Sequence, residues 1–400
     1  MKALKWIKDN KIFFITFGML MLVSAEYLYQ KDLMHYIDNY YYPLYVINYD
    51  CGYCSRLLIG AVFSLFFGET LEAVTIIRIL LGVYVFVCLI LSIFINNYLK
   101  NTKYDLITAY SFFLVISPVT LAFLRFLGTL DIFWMAFIFA SIWLVDKKGW
   151  RWLVPVFCVI CLCIYEIFAT TYLIVIAIIV FYQFVKKPSK SSFIYISVCA
   201  VAVGLAAVYF LIIGDSTMQM GSDTMVEFAR NRLDAQGRGF DDGYLRSAFF
   251  WELPKVEYYS QDFIGYIRYN FDTFTVNEPN AFKTIIFYLI SNTLSALPFF
   301  YLISKALKKA EKPLQKFVFL SSLTPAVFMI INLLLSTDTD RFSNHFVLSF
   351  IMLPVFFIKE NDLTFSEVYN EATAKLSKNK IIFAIVGISI ARFVLSGVRF

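Results

Sequence analysis

The chain has 400 residues, of which 60% are hydrophobic, 19% aromatic and only 16% charged. A soluble globular protein has about 45–50% apolar and about 25% charged residues, so the composition excludes that class. The 44 Phe and 26 Tyr likewise exclude a disordered chain. Apolar residues come in blocks of about 18 to 25, the length that crosses a hydrocarbon core of about 30 Å as a helix. The sequence therefore predicts an all-α, polytopic membrane protein with one integral membrane domain, residues 1–400.

The first apolar run, residues 12–29, follows a flank that is rich in lysine. Such a flank stays in the cytoplasm, so we predict a cytoplasmic N-terminus. The run also resembles a secretory signal with a small-residue site at Val23-Ser24-Ala25, and cleavage there would leave the same topology. The further predicted spans, which make about eleven in all, are 71–98, 105–125, 131–146, 150–166, 168–185, 192–213, 282–304, 316–336, 344–358 and 381–397.

Alternation of these spans brings every lysine cluster to the cytoplasmic side and leaves the C-terminus outside. Two exoplasmic regions result, a first loop at 30–70 and a long loop at 214–280. Within the first loop, the apolar stretch from Leu57 to Phe67 is too short to cross, so we predict a helix that lies in the outer membrane interface. The localisation that follows is the cell membrane, with several passes.

Asp50 and Arg56 lie just before this predicted interfacial helix, in the segment Asn48-Tyr49-Asp50-Cys51-Gly52-Tyr53-Cys54-Ser55-Arg56. An aspartate there suits a general base that takes a proton from an acceptor hydroxyl at the outer leaflet. An arginine there suits a bidentate grip on a phosphate at headgroup depth. The alternative is structural, with Asp50 as a cap of a helix or turn and Arg56 as an interface anchor.

A second group of ionisable residues lies at the outer ends of later spans. Arg125 and Asp131 flank a short connection in which Gly128 allows a tight turn. Asp131 also suits the positive end of a helix, which is a complete structural explanation for it. Glu166 falls between two apolar runs and so belongs at the outer turn of a helical hairpin, where an acid below the headgroups is costly without a function.

The short outer loop before the tenth span contains Thr337-Asp338-Thr339-Asp340-Arg341, followed by His345. Arg341 is a candidate phosphate ligand, and His345 is predicted to lie at the membrane interface. Two carboxylates two residues apart can share a divalent cation with phosphate oxygens. We predict no metal and no cofactor, and the alternative is a divalent cation bound by Asp338 and Asp340. Neither a dinucleotide-binding fingerprint nor a Walker A sequence occurs, and the excess positive charge belongs to cytoplasmic lysines, not to a nucleic-acid surface.

Five of the seven cysteines lie inside predicted spans, where a thiol acts as a small apolar filler. Cys51 and Cys54 form a lone C-x-x-C in the first loop, without the second pair that a zinc site needs. They form either a local disulfide or an inert pair, and the sequence favours the inert pair. Arg392 lies deep in the last predicted span, and we have no physical account of it.

The order of these features resembles the GT-C superfamily of membrane glycosyltransferases and related bacterial membrane proteins of surface-polysaccharide synthesis. The points of likeness are an acid in the first outer loop, an interfacial helix after it, a Gly-x-x-Asp entering a later span, an acid at a later outer turn and an Asp-Arg in a late outer loop. These are Asp50, Leu57 to Phe67, Gly128 to Asp131, Glu166 and Asp340-Arg341. Many members carry paired acids in the first loop, whereas here Cys51 follows Asp50.

The resemblance implies transfer of a sugar from a polyprenyl-phosphate donor at the outer leaflet to a cell-surface glycan or a lipid-linked acceptor. Asp50 would be the catalytic base. The binding residues would be Arg56, Arg125, Asp131, Glu166, Asp340 and Arg341. The partners would be the lipid-linked donor, membrane lipid and a glycan acceptor.

Two other functions stay open. A polysaccharide polymerase often has a long outer loop with arginines, and the 214–280 loop contains Arg230, Arg232, Arg238 and Arg246. A transporter of lipid-linked glycans would place charges near the bilayer midplane and show internal repeats. The span centres here are nearly free of charge and no repeat is visible, so the sequence favours the transferase, then the polymerase, then the transporter.

Overall fold

The computed structural model describes residues 10–29, 39–68, 70–99, 126–213, 220–234, 279–328 and 339–374, together with positions 6, 37, 123, 124, 243, 245 and 246. This part of the chain is mostly helical. The first six helices are α1 (Lys11–Tyr29), α2 (Leu58–Phe67), α3 (Ala73–Leu99), α4 (Trp134–Leu144), α5 (Leu153–Ile164) and α6 (Tyr172–Lys186). The next six are α7 (Lys190–Val208), α8 (Ser222–Arg232), α9 (Pro279–Lys309), α10 (Pro313–Ser321), α11 (Thr339–Lys359) and α12 (Leu363–Ala374).

Shorter elements join these helices. One-turn and two-turn 3-10 segments are Asn39–Tyr45, Tyr49–Cys51, Leu130–Phe133, Trp150–Trp152 and Glu166–Ala169, and a π turn is Tyr209–Ile213. Two-residue strands β1 (Leu71–Glu72) and β2 (Leu233–Asp234) pair in parallel, with Leu71 opposite Leu233. This pair joins the first predicted outer loop to the long one.

Helix α11 lies at the centre of the bundle, in contact with α3, α6 and α9. Every described side chain from 341 to 358 is buried. From Phe346 onward α11 is apolar on almost every side, and such a helix is a buried one, which explains why α11 takes the central place. The outer helices pack around it, with α1 against α3, α4 against α5, and α9 against α12.

Three helical segments in the described part are long and apolar enough to cross a membrane: Ala73–Asn97, Glu166–Lys186 and Lys190–Leu211. The last has 22 residues, a rise of about 33 Å at about 1.5 Å per residue. Its Phe193, Val201 and Leu205 are each more than 60% exposed, which in water would be a large apolar patch. The protein is therefore membrane-associated, and lipid is the solvent that suits this face. The finer prediction of about eleven spans goes beyond these three segments.

The last predicted span, 381–397, lies outside the described residues, as does 105–125 apart from positions 123 and 124. The predicted span 316–336 is not one continuous helix, because α10 ends at Ser321 and a turn follows before the helical residues 324–328. Pro325 explains this break. It has no N–H to donate to the carbonyl of Ser321, and its ring would clash with that carbonyl in a continuous helix.

Several local predictions are confirmed. A short helix, α2, occupies the stretch expected to lie in the interface, and it buries Ile59 and Phe63 while exposing Leu65 and Phe66. A short 3-10 connection that contains Glu166 joins α5 to α6, as expected, but the two helices do not pack closely against each other as those of a tight hairpin would. Gly128 has a φ of +118°, a conformation that favours glycine. That turn directs the chain into α4.

The two ends of the bundle differ in their charged residues. At one end, Lys186 pairs with Glu360 at 2.8 Å and Lys359 pairs with Asp146 at 3.3 Å, so the ends of α4, α6 and α11 meet there. Arg341 lies 18 residues before Lys359 on α11, which corresponds to about 27 Å along the helix axis. The other end of the bundle, one hydrocarbon thickness away, holds the residues described next.

Candidate functional site

Glu166, in the turn between α5 and α6, receives hydrogen bonds from two residues of the first loop. Arg56 donates from Nη2 to Oε1 at 2.6 Å and from Nε to Oε2 at 3.2 Å. Ser55 donates to Oε2 at 2.5 Å. The Arg56 and Glu166 side chains are each only 9% exposed, so this is a buried, bidentate, charge-assisted pair.

The backbone at Arg56 holds this geometry. Its φ is +73°, a conformation that costs a non-glycine residue of order 1–3 kcal/mol. Its N–H donates to the carbonyl of Cys163 near the end of α5, at 3.0 Å. The first loop is therefore attached to the end of α5 at Arg56, the residue whose side chain reaches Glu166.

Asp131 forms the second buried centre, just before α4. Its Oδ2 is 2.6 Å from Nε2 of His345, and Nδ1 of His345 is 2.8 Å from the hydroxyl of Tyr172. Thr129 donates a further hydrogen bond to Oδ1 of Asp131. An ionised carboxylate only accepts hydrogen bonds, so Nε2 of His345 is the donor to Asp131. Asp131, His345 and Tyr172 are each at most 2% exposed.

Tyr165 and Arg341 connect the two centres. Nε of Arg341 is 3.6 Å from Oδ2 of Asp131, and its Nη2 donates to the Tyr165 hydroxyl at 3.2 Å. The Arg56 guanidinium carbon lies 4.3 Å from the centroid of the Tyr165 ring, and that of Arg341 lies 5.7 Å from it. Both arginines therefore contact one aromatic ring, at its face and at its hydroxyl.

We call this set the buried charge cluster: Ser55, Arg56, Thr129, Asp131, Tyr165, Glu166, Tyr172, Arg341 and His345. Its two carboxylates and two guanidiniums balance in formal charge. Removal of such groups from water costs several kcal/mol per ion, so a cluster of this kind is weak evidence for stability. Ionisable groups within membrane segments mark functional sites by default.

Asp50 stands apart from the buried charge cluster. Its side chain is 62% exposed, and its Oδ2 is 3.5 Å from Nη2 of Arg232 at the end of α8. The cap of its 3-10 turn is Asn48, whose Oδ1 accepts from the Asp50 N–H at 2.9 Å. Asp50 therefore presents an accessible carboxylate beside an arginine of the long loop, and no contact in the described part joins its side chain to the cluster.

The structure brings together four of the predicted site residues, Arg56, Asp131, Glu166 and Arg341, from distant parts of the chain. Their roles as ligands stay predictions. Arg125, Asp338 and Arg392 lie outside the described residues, as does the side chain of Asp340. Glu166 lies in the turn between α5 and α6 as predicted, and Asp131 is held by His345 and Thr129 in addition to its place at the start of a helix.

Sequence reasoning missed several members of the cluster. It expected His345 at the membrane interface and gave it no partner, whereas the structure buries the residue against Asp131. The signal that was available is its spacing, since His345 lies four residues after Arg341 and therefore on the same helix face. Tyr165 and Tyr172 carried no such signal among 26 tyrosines.

The cysteines of the first loop form no disulfide in this structure. Both Cys51 and Cys54 are buried, and burial raises the pKa of the Cys51 thiol. The described part contains no group of three or more His, Cys, Asp or Glu side chains that could hold a metal ion. The alternative metal ligands, Asp338 and the side chain of Asp340, lie outside the described part of the chain.

Comparisons with known proteins identify no relative of this chain. No family model matches the chain, and neither a curated protein nor a solved structure is significantly similar to it.

Proposed function

We propose that the protein is a membrane glycosyltransferase that moves a sugar from a polyprenyl-phosphate donor to a cell-surface glycan or a lipid-linked acceptor at the outer leaflet. The observation that carries this proposal is the meeting of Arg56, Asp131, Glu166 and Arg341 at the bundle end opposite the paired lysines. The lysine-rich end is the cytoplasmic one by the positive-inside rule, so the cluster faces the exoplasm.

The chemistry needs positive charge near the departing phosphate and a base near the acceptor hydroxyl. A polyprenyl phosphate leaves as a stable anion, so guanidinium groups at the phosphate lower the barrier by balancing the charge that develops on it. Arg56 and Arg341 provide two such groups around one tyrosine ring. Glu166 orients the Arg56 guanidinium through two hydrogen bonds, and Asp131 places a negative charge 3.6 Å from Nε of Arg341.

Asp50 is the base in this proposal because its carboxylate is exposed and close in sequence to Arg56. A base must reach the proton that it removes, and an exposed carboxylate is accessible to an acceptor hydroxyl. Arg232 would hold the carboxylate until the acceptor hydroxyl replaces that contact. The sugar transfer itself makes the bond between the acceptor oxygen and the sugar and breaks the bond between the sugar and the phosphate oxygen.

The second candidate is a polysaccharide polymerase, which joins lipid-linked repeat units. One observation favours it, the contact of the long loop with the first loop through Arg232 and Asp50 and through the β1–β2 pair. In the polymerase proposal, an arginine of the long loop would lie beside the proposed base, as Arg232 lies beside Asp50. A product longer than one added unit would distinguish the polymerase from the transferase.

The test is Asp50→Asn in membranes that hold the protein, assayed with radiolabelled polyprenyl-phosphate sugars. We expect an inserted protein without sugar transfer. Asp223→Asn is the matched control, because Asp223 is also an exposed acid of the predicted outer face and also pairs with an arginine, Arg246. Wild-type transfer by Asp50→Asn would remove Asp50 as the base.

A further inference from the structure

A cavity of about 260 Å³ lies at the opposite end of the bundle, between the last turns of α9 and the helix α12. Its volume is just below the roughly 300–1,000 Å³ of drug-sized sites, so it suits a headgroup-sized ligand. Its polar lining consists of Tyr301, Lys305, Lys308, Lys309 and Glu371. We call it the lysine pocket.

The spacing on α9 explains why three of these side chains share the cavity. Positions 301, 305 and 308 follow each other by four and three residues, which places them on one helix face. Nζ of Lys305 lies 5.7 Å from the centroid of the Tyr301 ring, and that tyrosine is half exposed, as is typical of a residue at a membrane interface.

The charges of the pocket do not balance. Lys309 pairs with Glu371 at 2.5 Å and with Glu367 at 2.8 Å, so its charge is already used to attach α12 to α9. Lys305 and Lys308 are exposed, and no ion pair within the described ranges involves them. Three lysines against one glutamate in the lining leave an excess of positive charge directed at the cavity.

The wall opposite α9 is held in place by contacts that do not involve the pocket. Asp362 caps α12 by accepting from the Phe365 N–H at 2.8 Å, and it also accepts from the Tyr182 hydroxyl at 3.0 Å. The Phe365 ring packs between those of Phe319 and Phe357. The pocket is therefore preformed, which lowers the ordering cost of binding a ligand.

We propose that the lysine pocket binds a phosphate group, presented by the headgroup of an anionic lipid in the adjacent leaflet or as free phosphate. Basic pockets at the cytoplasmic ends of transmembrane helices bind anionic headgroups, and each lysine near an anionic membrane surface contributes about a five-fold factor in affinity. This inference does not depend on the proposed sugar transfer.

The test uses the full chain in nanodiscs of phosphatidylcholine, into which phosphatidylglycerol is titrated, and a parallel titration with inorganic phosphate alone. The variant is Lys305→Gln with Lys308→Gln, and we expect it to lose about 25-fold in affinity, the product of two five-fold factors. Lys187→Gln with Lys190→Gln is the matched control, because it removes two exposed lysines of the same predicted side outside the pocket. Lys305→Arg with Lys308→Arg should keep the affinity, since the charges remain.

Preference for phosphatidylglycerol that is lost only in the pocket variant identifies the lipid headgroup as the source. Binding of inorganic phosphate with the same variant dependence, and no preference among lipids, identifies free phosphate. Equal losses in the pocket and control variants would overturn the proposal, because general surface charge would then explain the binding. The proposal also fails if neither probe responds to the pocket variant, as it would if the lysines only balance the helix dipole.

Discussion

The Arg56–Glu166 pair allows a test that separates a structural role from a functional one. The single variants are Arg56→Met and Glu166→Leu, and the double variant combines them. Each single change leaves one charge buried without its partner, which typically costs about 3–5 kcal/mol. The double variant replaces the pair by apolar side chains and removes both charges at once, an exchange that is often close to neutral.

Two local contacts set the remaining cost of the double variant. Ser55 loses the carboxylate that it contacts at 2.5 Å, and the Tyr165 ring loses the guanidinium at 4.3 Å. These losses amount to about 1 kcal/mol each. We therefore expect the double variant to be more stable than either single variant by at least about 1 kcal/mol.

The assay is the midpoint of thermal unfolding of the purified chain in one detergent at one scan rate, since large membrane proteins unfold irreversibly. At about 2 °C per kcal/mol, the single variants should lie about 6–10 °C below wild type and the double variant about 4 °C below it. Sugar transfer should be absent in all three. If the double variant is no more stable than the single variants, the argument that Arg56 and Glu166 form a buried pair is refuted. If the double variant is stable and transfers sugar as wild type does, the pair has no place in the active site.

Two further predictions concern the neighbouring turn and helix. His345→Ala leaves the Asp131 carboxylate without its imidazole partner, so we expect a loss of about 1–3 kcal/mol and of sugar transfer, measured by the same unfolding and transfer assays. An unchanged midpoint would contradict the buried contact. Gly128→Ala should destabilise by about 1–3 kcal/mol, because φ there is +118° and a Cβ would lie 2.6 Å from a neighbouring methyl carbon. Gly149→Ala is its control, with open space around the added methyl group, and equal midpoints for both would contradict this reasoning.

Local features were predictable where chain chemistry decides them over a few residues. The break in the helix at Glu166 follows from an apolar run too long for one crossing, and the turn at Gly128 follows from a residue that tolerates positive φ. The break after Ser321 was equally local, since Pro325 was visible in the sequence. An average of hydropathy over residues 316–336 does not register that proline, which is why the segment is predicted as one span.

Contacts between distant residues were not predictable in the same way. Glu166 reaches Arg56 over 110 residues, and Asp131 reaches His345 over 214. The acids and arginines of the predicted outer face allow many pairings, and sequence spacing does not choose among them. The separation of Asp50 from the cluster illustrates this, since only five residues lie between the exposed Asp50 carboxylate and the buried Arg56 guanidinium.

By itself, the sequence determined that the chain belongs in a membrane, and it predicts that most lysines and most acids lie at opposite ends of the helices. Both conclusions follow from the free-energy cost of placing a charged side chain in hydrocarbon, a cost that does not depend on where the residue lies in the chain. Only the tertiary structure decided that two arginines share the Tyr165 ring and that His345 joins Asp131 to Tyr172. Those contacts depend on how helices are rotated and offset against each other, and that is set by the packing of many side chains at once.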